Sequence, residues 1–294
     1  MSNQPKLDFI LIGAMKSGTT SLADNLAVHP QINFSEPKEP HFFCNSDWRK
    51  RLKEYEKCFK LNDQNLLRGE GTTSYAKYPM HPHIVEDLYE YNPNLKIIYL
   101  MREPVSRAIS HYIHCVLRKF EHEKEINKAL LNNSEYVNTG RYYMQIEPYL
   151  NVFGRHQVLL LPFEEYIQNS IGTYEKIANF LEIEKDPFLK QKVTHSNRGI
   201  GLYRDDQRVD KLLTNSSLTK LKDLFPQSLR TFVAKSLYQL TRSKVSEVPK
   251  VNDRVKEYIY RASRGDLNKI EDLLGYRVDS WHKYSSKSVE NLNI

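Results

Sequence analysis

The fold is decided by the stretch FILIGAMKSGTTSLADNLAVHP, Phe9–Pro30. It begins with the apolar run Phe9–Ile12, which is typical of a short buried strand, and continues into apolar residues at helical spacing. Between them lie Gly13 and Gly18, at the spacing of a phosphate-binding loop. We therefore predict a strand, a loop and a helix whose first backbone N–H groups face a phosphate.

The lysine of this loop lies at an unusual position. Loops that bind nucleoside triphosphates read G-x-x-x-x-G-K-[ST], whereas this chain has Thr19 after the second glycine and Lys16 inside the loop. The loop therefore lacks the usual charge neutraliser of a metal-dependent triphosphate reaction. We expect Lys16 to approach the anion from the loop side, near the bond to be broken. The predicted phosphate-binding residues are Lys16, Ser17, Gly18, Thr19, Thr20 and Ser21.

Two further apolar runs, Lys96–Met101 and Val158–Leu161, predict buried strands, and a helical pattern follows each of them. Alternating strands and helices imply a parallel sheet that is covered on both faces. We therefore predict an α/β fold. It would be one P-loop-like domain over residues 1–294, with a core at about 7–182 and flanking helices.

The C-terminal part, at about 205–294, is predicted to be helical and peripheral. One helix is expected through Val251–Ile259, and a second is expected to be capped by Asp266 and to stop at Gly275. The charged stretch Arg118–Asn133 predicts a solvated helix or, alternatively, a lid that faces the substrate.

A second anion site is predicted in the turn MREPVSRAISHY. Arg102 ends the second strand, and Ser110 lies on the following helix, with Ser106 one turn earlier. If this strand is a neighbour of the first, Arg102 and Ser110 lie beside the first loop at the carboxyl edge of the sheet, where open α/β folds bind ligands. A guanidinium can bind a phosphate through two hydrogen bonds. The two sites together predict a ligand with phosphate at two separate positions.

The charge balance favours an anionic ligand. Lysine and arginine total 43 against 36 acidic residues, which gives a net charge of +7. The chain has no zinc-finger spacing, no RNP-like aromatic motif and no arginine-rich tail, so we expect no nucleic-acid partner. The histidines lack an acidic or cysteine partner at ligand spacing, so we expect no metal. They are His81, His83, His111 and His114.

Targeting signals are also weak. The apolar run Phe9–Met15 is shorter than the ~20 residues that span a bilayer, and it makes a poor signal peptide because Lys16 follows it. The three cysteines, Cys44, Cys58 and Cys115, are widely spaced and odd in number, which argues against a disulfide framework. We expect a cytoplasmic protein without membrane insertion. The sequence does not indicate an oligomeric state.

With these two predicted anion sites, the sequence resembles the sulfotransferases that use 3′-phosphoadenosine 5′-phosphosulfate (PAPS). The stretch Ala14–Ser21 is similar to their 5′-phosphosulfate loop, and Arg102 to Ser110 is similar to their 3′-phosphate site. Within that family, KEPHFF (Lys38–Phe43) resembles the E-x-x-F-F region of the heparan sulfate sulfotransferases. The resemblance runs from about Phe9 to Leu181 and weakly onward.

This resemblance implies a PAPS donor, no metal requirement, and a carbohydrate, glycolipid or related hydroxyl or amine as the small-molecule or glycan acceptor. The heparan enzymes have a membrane stem that this sequence lacks, which suggests a soluble member of bacterial type. They also carry a lysine where this chain has Gly71, so one basic contact near the acceptor is missing.

The resemblance also implies roles for the residues. Glu39 would be the catalytic base and Lys16 would stabilise the leaving phosphate, while His41 is the rival base because its ordinary pKa of ~6.5 needs no adjustment. In a strand-like segment both Glu39 and His41 would face the site. We expect the apolar neighbours of Glu39 to raise its pKa by burial.

Further contacts are expected from two other segments. Asn197, Arg198 and Gly199 are predicted to close on the 3′-phosphate or the adenine, and Thr72 and Ser74 to line the acceptor or nucleotide pocket.

Two other functions remain open. A nucleotide or nucleoside kinase with a variant P-loop would need Mg²⁺ and a lysine where Thr19 stands. A non-catalytic module that binds anionic glycans would lose affinity steeply with salt.

Overall fold

A five-stranded parallel sheet forms the centre of the protein, as the computed structural model shows for residues 6–60, 66–189, 203–204, 243–244 and 248–285. The strands are β1 (Phe9–Gly13), β2 (Ile32–Phe34), β3 (Leu67–Glu70), β4 (Lys96–Met101) and β5 (Val158–Pro162). Their order across the sheet is β2-β3-β1-β4-β5. The predicted α/β fold with a parallel sheet is confirmed, and β1 and β4 are direct neighbours. A short antiparallel pair, β6 (Tyr203–Arg204) and β7 (Ser243–Lys244), lies outside this sheet.

Helices follow or flank the strands. In the described part of the chain they are α1 (Thr19–Ala27), α2 (Leu52–Glu56), α3 (Ile84–Tyr91), α4 (Pro104–Leu117), α5 (Ile126–Asn132), α6 (Glu135–Asn138), α7 (Tyr142–Phe153), α8 (Phe163–Gln168), α9 (Ser170–Leu181), α10 (Asp186–Leu189) and α11 (Asp253–Leu274). Turns of 3-10 helix occur at Phe42–Cys44, Trp48–Lys50, Thr73–Ala76, Arg155–Gln157 and Asp279–His282. Within these described ranges no helix has the length and apolar character that crossing a membrane requires.

The core lies on both faces of the sheet because side chains alternate along each strand. In β1, Ile10 and Ile12 face one side, and Phe9 and Leu11 face the other. Helices α3, α7 and α11 cover the first face, and α1, α8 and α9 cover the second. The buried strands therefore read as continuous apolar runs, which is typical of a parallel sheet with helices on both faces.

The C-terminal part differs from the prediction of two helices. Asp253–Leu274 is one helix of 22 residues that ends at Gly275, whose φ is 80°. Asp266 does not cap a helix start; its carboxylate instead accepts hydrogen bonds from the Met144 backbone N–H at 2.7 Å and from Arg141 at 3.2 Å. The polar side chain is satisfied by the first turn of α7, so it does not interrupt α11.

The charged stretch Arg118–Asn133 is not a single helix. Helix α4 ends at Leu117, and the helical part that follows is limited to Ile126–Asn132. Most of the predicted helical region at about 205–294 that precedes residue 248 lies outside the described residues.

The carboxyl ends of β1, β3 and β4 meet at one edge of the sheet. Gly13, Glu70 and Met101 are the last residues of these three strands. The segments that follow them therefore converge at the edge where parallel α/β folds bind ligands.

Candidate active site

The loop between β1 and α1 is held in a conformation that only a small set of residues can adopt. Lys16 and Gly18 both have left-handed backbones, with φ of 70° and 92°. A lysine in this region costs ~1 kcal/mol, and such strain concentrates at functional sites. A Cβ atom on Gly18 would lie 2.5 Å from the Phe163 ring, so a side chain is excluded there by space as well. Gly18 therefore lets the loop pass close to the Phe163 ring where it enters α1.

The first turn of α1 is suited to bind an anion. The Leu22 N–H makes the first helical bond, to the Gly18 carbonyl at 3.2 Å. The N–H groups of Thr19, Thr20 and Ser21 precede that bond, at the positively polarised end of the helix dipole. The predicted strand, loop and helix are therefore present, and Ser17 in the loop is buried. Phosphate binding at this helix start stays a prediction.

Lys16 lies on the side of this loop that faces β4. Burial and then the neighbouring charge of Arg102 lower the pKa of the Lys16 ammonium. The Arg102 guanidinium donates a hydrogen bond of 3.3 Å to the Lys16 carbonyl. Two cations thus stand side by side, an arrangement that an anionic ligand would stabilise.

Arg102 is held firmly at the end of β4. Its guanidinium stacks on the Phe163 ring at 5.0 Å, and its backbone N–H donates to the Tyr142 hydroxyl at 3.1 Å. The same ring covers Gly18, so both predicted anion sites share one wall. Ser110 lies on α4 and is half-buried. The sequence predicted Arg102 beside the first loop, and the structure brings them together.

A network of hydrogen bonds, which was not predicted from the sequence, holds the turn after Arg102. The Glu103 carboxylate caps α4 by accepting hydrogen bonds from the N–H groups of Val105 and Ser106 at 2.7 and 2.8 Å. The Glu103 N–H donates to Glu164 at 2.9 Å, and Glu164 also accepts from the Trp281 indole N–H at 2.9 Å. An acidic residue before a helix that begins with proline is a capping signal that could have revealed Glu103. No local signal indicates Trp281.

The carboxylate of Glu39 reaches the phosphate loop through Lys38. Glu39 accepts hydrogen bonds from the Thr73 hydroxyl at 3.0 Å and the Thr73 N–H at 3.4 Å. Its other oxygen lies 3.0 Å from the Lys38 ammonium, which also donates to the Thr19 hydroxyl at 3.3 Å. Neither Lys38 nor Thr73 was predicted as a site residue, because each contributes through contacts between separate segments.

The pKa of Glu39 departs from the expected direction. Burial does act to raise the pKa of this carboxyl, but the positive charge of Lys38 and the hydrogen bonds from Lys38 and Thr73 outweigh burial and lower it. The prediction that apolar neighbours raise the pKa is therefore wrong. Glu39 is ionised at neutral pH and is available as a proton acceptor.

His41 lies beside Glu39, although the segment is not a strand. His41 has a left-handed backbone with φ of 52° and precedes the 3-10 turn Phe42–Cys44. Its Nε2 atom is 3.8 Å from a carboxylate oxygen of Glu39, and half of its side chain is exposed. Both rival bases are therefore at the site, brought together by the turn and not by strand alternation.

Thr72 and Ser74 follow β3 at different depths. Thr72 is fully buried, and its hydroxyl donates to Glu70 at 3.2 Å. Its side chain therefore contacts the buried end of β3. Burial raises the pKa of Glu70 to about 8, against the lowering effect of its hydrogen bonds. Ser74 is half-buried. Asn197, Arg198 and Gly199 lie outside the described residues.

Further positive charges surround Lys16. Burial, followed by the charges of Lys16, Arg118 and Lys77, lowers the pKa of His114 to about 4. His114 belongs to α4, and Arg118 directly follows that helix. Two cations therefore lie near this edge of the sheet, and we call them the basic wall: Lys77, which pairs with Glu135 at 2.8 Å, and Arg118. The lowered pKa of His114 leaves its ring neutral at pH 7.

The histidines are not arranged as metal ligands. His111 is buried and its Nδ1 atom lies 3.4 Å from Arg107, whose positive charge adds to burial in lowering the pKa of His111 to about 2. Across the ranges described above, no group of three His, Cys, Asp or Glu side chains could hold a metal ion.

Comparison with known proteins identifies a domain family. Residues 6–270 match the model of the sulfotransferase domain. The chain is 28% identical over 184 residues to heparan sulfate glucosamine 3-O-sulfotransferase 3A1 of Mus musculus, covering 60% of this chain and 46% of that protein. It is 24% identical over 262 residues to carbohydrate sulfotransferase 15 of Homo sapiens, covering 64% of this chain and 46% of that protein. The chain thus spans about half the length of these relatives.

A solved structure has the same fold. The crystal structure of a sulfotransferase from Alicyclobacillus acidocaldarius superposes with a TM-score of 0.65 at 21% identity, covering 95% of this chain and 99% of that chain.

Proposed function

The chain belongs to the sulfotransferase family, and on that basis we propose that it transfers a sulfuryl group from PAPS to a hydroxyl or amine of a carbohydrate, glycolipid or related acceptor. One observation carries the proposal. The phosphate loop, the arginine after β4 and an ionised carboxylate are joined by direct contacts, through the Lys16 carbonyl on one side and Lys38 on the other. Such a site has the parts that transfer between an anionic donor and a neutral acceptor requires.

The donor would be held at its two phosphate-bearing ends. The first turn of α1 and Lys16 suit the 5′-phosphosulfate, and Arg102 suits the 3′-phosphate through two parallel hydrogen bonds. Lys16 and Arg102 adjoin each other, so the two ends of one nucleotide could be bound at once. PAPS is therefore proposed as the donor substrate.

The chemistry proposed is an in-line displacement. Glu39 takes the proton of the acceptor hydroxyl while the acceptor oxygen forms a bond to sulfur. The bond between sulfur and the 5′-phosphate oxygen breaks, and 3′-phosphoadenosine 5′-phosphate leaves. Negative charge develops on that phosphate, where Lys16 and the α1 N–H groups stabilise it. His41, at 3.8 Å from Glu39, is the alternative base.

A carbohydrate acceptor is supported by the relatives named above, whose names describe action on heparan sulfate and carbohydrate. The net charge of +7, to which Arg118 near Lys16 contributes, favours an acceptor that carries negative charge, since an excess of cations raises the local concentration of anions. We therefore propose an acidic glycan or glycolipid.

The cytoplasm is proposed as the place of the reaction. Cys44, Cys58 and Cys115 are free thiols, which fits a reducing compartment.

The test begins with calorimetry. We expect 3′-phosphoadenosine 5′-phosphate to bind without metal and to bind more tightly than ATP, with or without Mg²⁺. Transfer is then measured from ³⁵S-labelled PAPS to unsulfated heparosan, chondroitin and simple glycosides. Preferred binding of ATP with Mg²⁺ would contradict the proposal and favour a kinase.

A further inference from the structure

Lys38 occupies the space between the proposed donor loop and the proposed base. Its ammonium lies 3.3 Å from the Thr19 hydroxyl and 3.0 Å from a carboxylate oxygen of Glu39. Only 21% of its side chain is exposed. A lysine ammonium has three N–H donors, of which these two contacts use two. The third N–H can therefore donate to an anion that arrives at the Thr19 end of α1.

Gly71 provides the room for this side chain. A Cβ atom at Gly71 would lie 3.1 Å from Cε and 3.5 Å from Cγ of Lys38, and 3.4 Å from the Phe34 ring. The Gly71 N–H also donates to the Lys38 carbonyl at 3.0 Å, which fixes the two segments against each other. A side chain at position 71 would therefore press against the stem of Lys38.

The direction of the stem is set by this packing. With Gly71 beside it and Phe34 close by, the chain of methylene groups leads to Thr19, the first residue of α1. The N–H groups at this helix start are the ones proposed to bind the donor. A cation at that position adds to the favourable helix dipole, so the two act on the same anion.

We propose that Lys38 is a second donor-binding cation, which moves from Glu39 to the anionic 5′ end of the donor when the donor occupies the loop at Thr19. The inference rests on the proposed function. Lys38 thus places a cation beside Gly71, from a different segment of the chain.

This exchange of partners links donor binding to the base. Before the donor binds, the Lys38 ammonium neutralises the Glu39 carboxylate, which makes Glu39 a weaker proton acceptor. After the donor binds, the Lys38 ammonium contacts the donor instead of Glu39, and Glu39 keeps its hydrogen bonds from Thr73. Glu39 then accepts the acceptor proton as the sulfur–oxygen bond forms, so the base reaches full strength only in the presence of donor.

The test compares two nucleotides in two variants by calorimetry. Lys38→Met keeps the length of the stem and removes the charge. We expect it to weaken binding of 3′-phosphoadenosine 5′-phosphate by ~10-fold or more, which is ~1.4 kcal/mol. Binding of adenosine 3′-phosphate, which lacks the 5′ group, should stay unchanged. Lys53→Met, at an exposed position on α2, is the matched control and should bind both nucleotides like the wild type.

A second variant tests the geometry. In a Lys38→Ala background, which removes the stem as well as the charge, Gly71→Lys should bind the bisphosphate at least ~3-fold more tightly than Lys38→Ala alone, because the new stem starts beside the one removed. Gly71→Lys alone should weaken binding, since two lysines would compete for one space. Circular dichroism and the melting temperature establish that each variant is folded.

The outcomes separate the two proposals. A wild-type chain that did not bind the bisphosphate would overturn the proposed function and this inference together. A wild-type chain that bound it, with Lys38→Met binding equally well, would overturn the inference alone. Equal weakening for both nucleotides in Lys38→Met would also overturn it, because the contact would then not be with the 5′ group.

Discussion

The indole N–H of Trp281 donates a hydrogen bond of 2.9 Å to the carboxylate of Glu164, a residue 117 positions earlier in the chain. Glu164 in turn accepts from the N–H of Glu103 at 2.9 Å, directly after the predicted phosphate ligand Arg102. A residue near the end of the described chain therefore helps to hold the turn that carries the predicted second anion site.

Trp281→Phe tests this connection. The variant keeps an aromatic ring but loses the hydrogen bond and part of the buried volume, so the free energy of unfolding should fall by ~1–3 kcal/mol. Urea denaturation measures this change. Affinity for 3′-phosphoadenosine 5′-phosphate should fall as well, because the turn after β4 becomes looser. A variant with wild-type stability and affinity would show that the Glu164 network does not support the site.

Arg102→Ala should weaken binding of nucleotides that carry a 3′-phosphate. Hydrogen bonds to a charged group contribute ~1.5–3 kcal/mol, so we expect a loss of ~10-fold to ~100-fold in affinity for 3′-phosphoadenosine 5′-phosphate. Adenosine 5′-phosphosulfate, which has no 3′-phosphate, is the control ligand and should bind the variant and the wild type equally. Equal losses for both ligands would assign Arg102 to the 5′ end instead.

Lys16→Ala should reduce turnover more than binding. A preorganised charge on the leaving phosphate is worth ~10²-fold in rate, so kcat should fall by at least that factor in the ³⁵S transfer assay. The exposed Lys53→Ala is the matched control. Retention of the wild-type kcat in Lys16→Ala would exclude this role for the loop lysine.

Glu39→Gln and His41→Gln distinguish the two candidate bases. We expect Glu39→Gln to bind 3′-phosphoadenosine 5′-phosphate but to lose ~10²-fold or more in kcat, the scale of general base catalysis. His41→Gln should lose less, because half of its side chain is exposed and it lies 3.8 Å from Glu39. If His41→Gln lost turnover and Glu39→Gln kept it, the base would be His41.

Glu70 makes the stability of the protein depend on pH. Burial raises its pKa from the ordinary 4.5 to about 8, so between these values the folded protein holds a proton that the unfolded chain releases. The stabilising effect is complete below about pH 4.5 and is lost as the pH rises through about 8. Within this window the free energy of unfolding should fall by up to ~1.4 kcal/mol per pH unit through this group.

Glu70→Gln removes this titration. Urea denaturation at a series of pH values should show the variant gaining stability relative to the wild type as the pH rises across the window. Parallel curves for the two proteins would mean that Glu70 is already ionised in the folded state.

The sequence predicted those parts of the fold that local patterns determine. Strands β1, β4 and β5 appear as uninterrupted apolar runs because both of their faces are covered by helices. Strands β2 and β3 were not predicted. The first has three residues, and the second reads LRGE, so its sheet pairing comes from its neighbours and not from its own composition.

The same distinction applies to the site. Lys16 and Arg102 could be predicted because each follows a strand within a short motif. Lys38 and Thr73 could not, since their roles depend on the approach of two segments at one sheet edge. The prediction of a raised pKa for Glu39 was wrong for the same reason. The apolar neighbours in the sequence indicate burial, but the contacts with Lys38 and Thr73, which lower the pKa, appear only in the folded structure.

The single helix α11 makes the C-terminal third of the chain part of the protein core rather than a peripheral addition. At 22 residues it is about 33 Å long, roughly the width of a small domain. Tyr260, Leu267 and Ile270 lie in the same core as β1 and β4, while Val255 and Ile259 pack with α4 and α5. The helix thus contacts both the core under the sheet and α4, the helix that carries Ser110 and His114. The predicted anion site at the start of α4 therefore rests on a helix that supplies none of the proposed reacting groups.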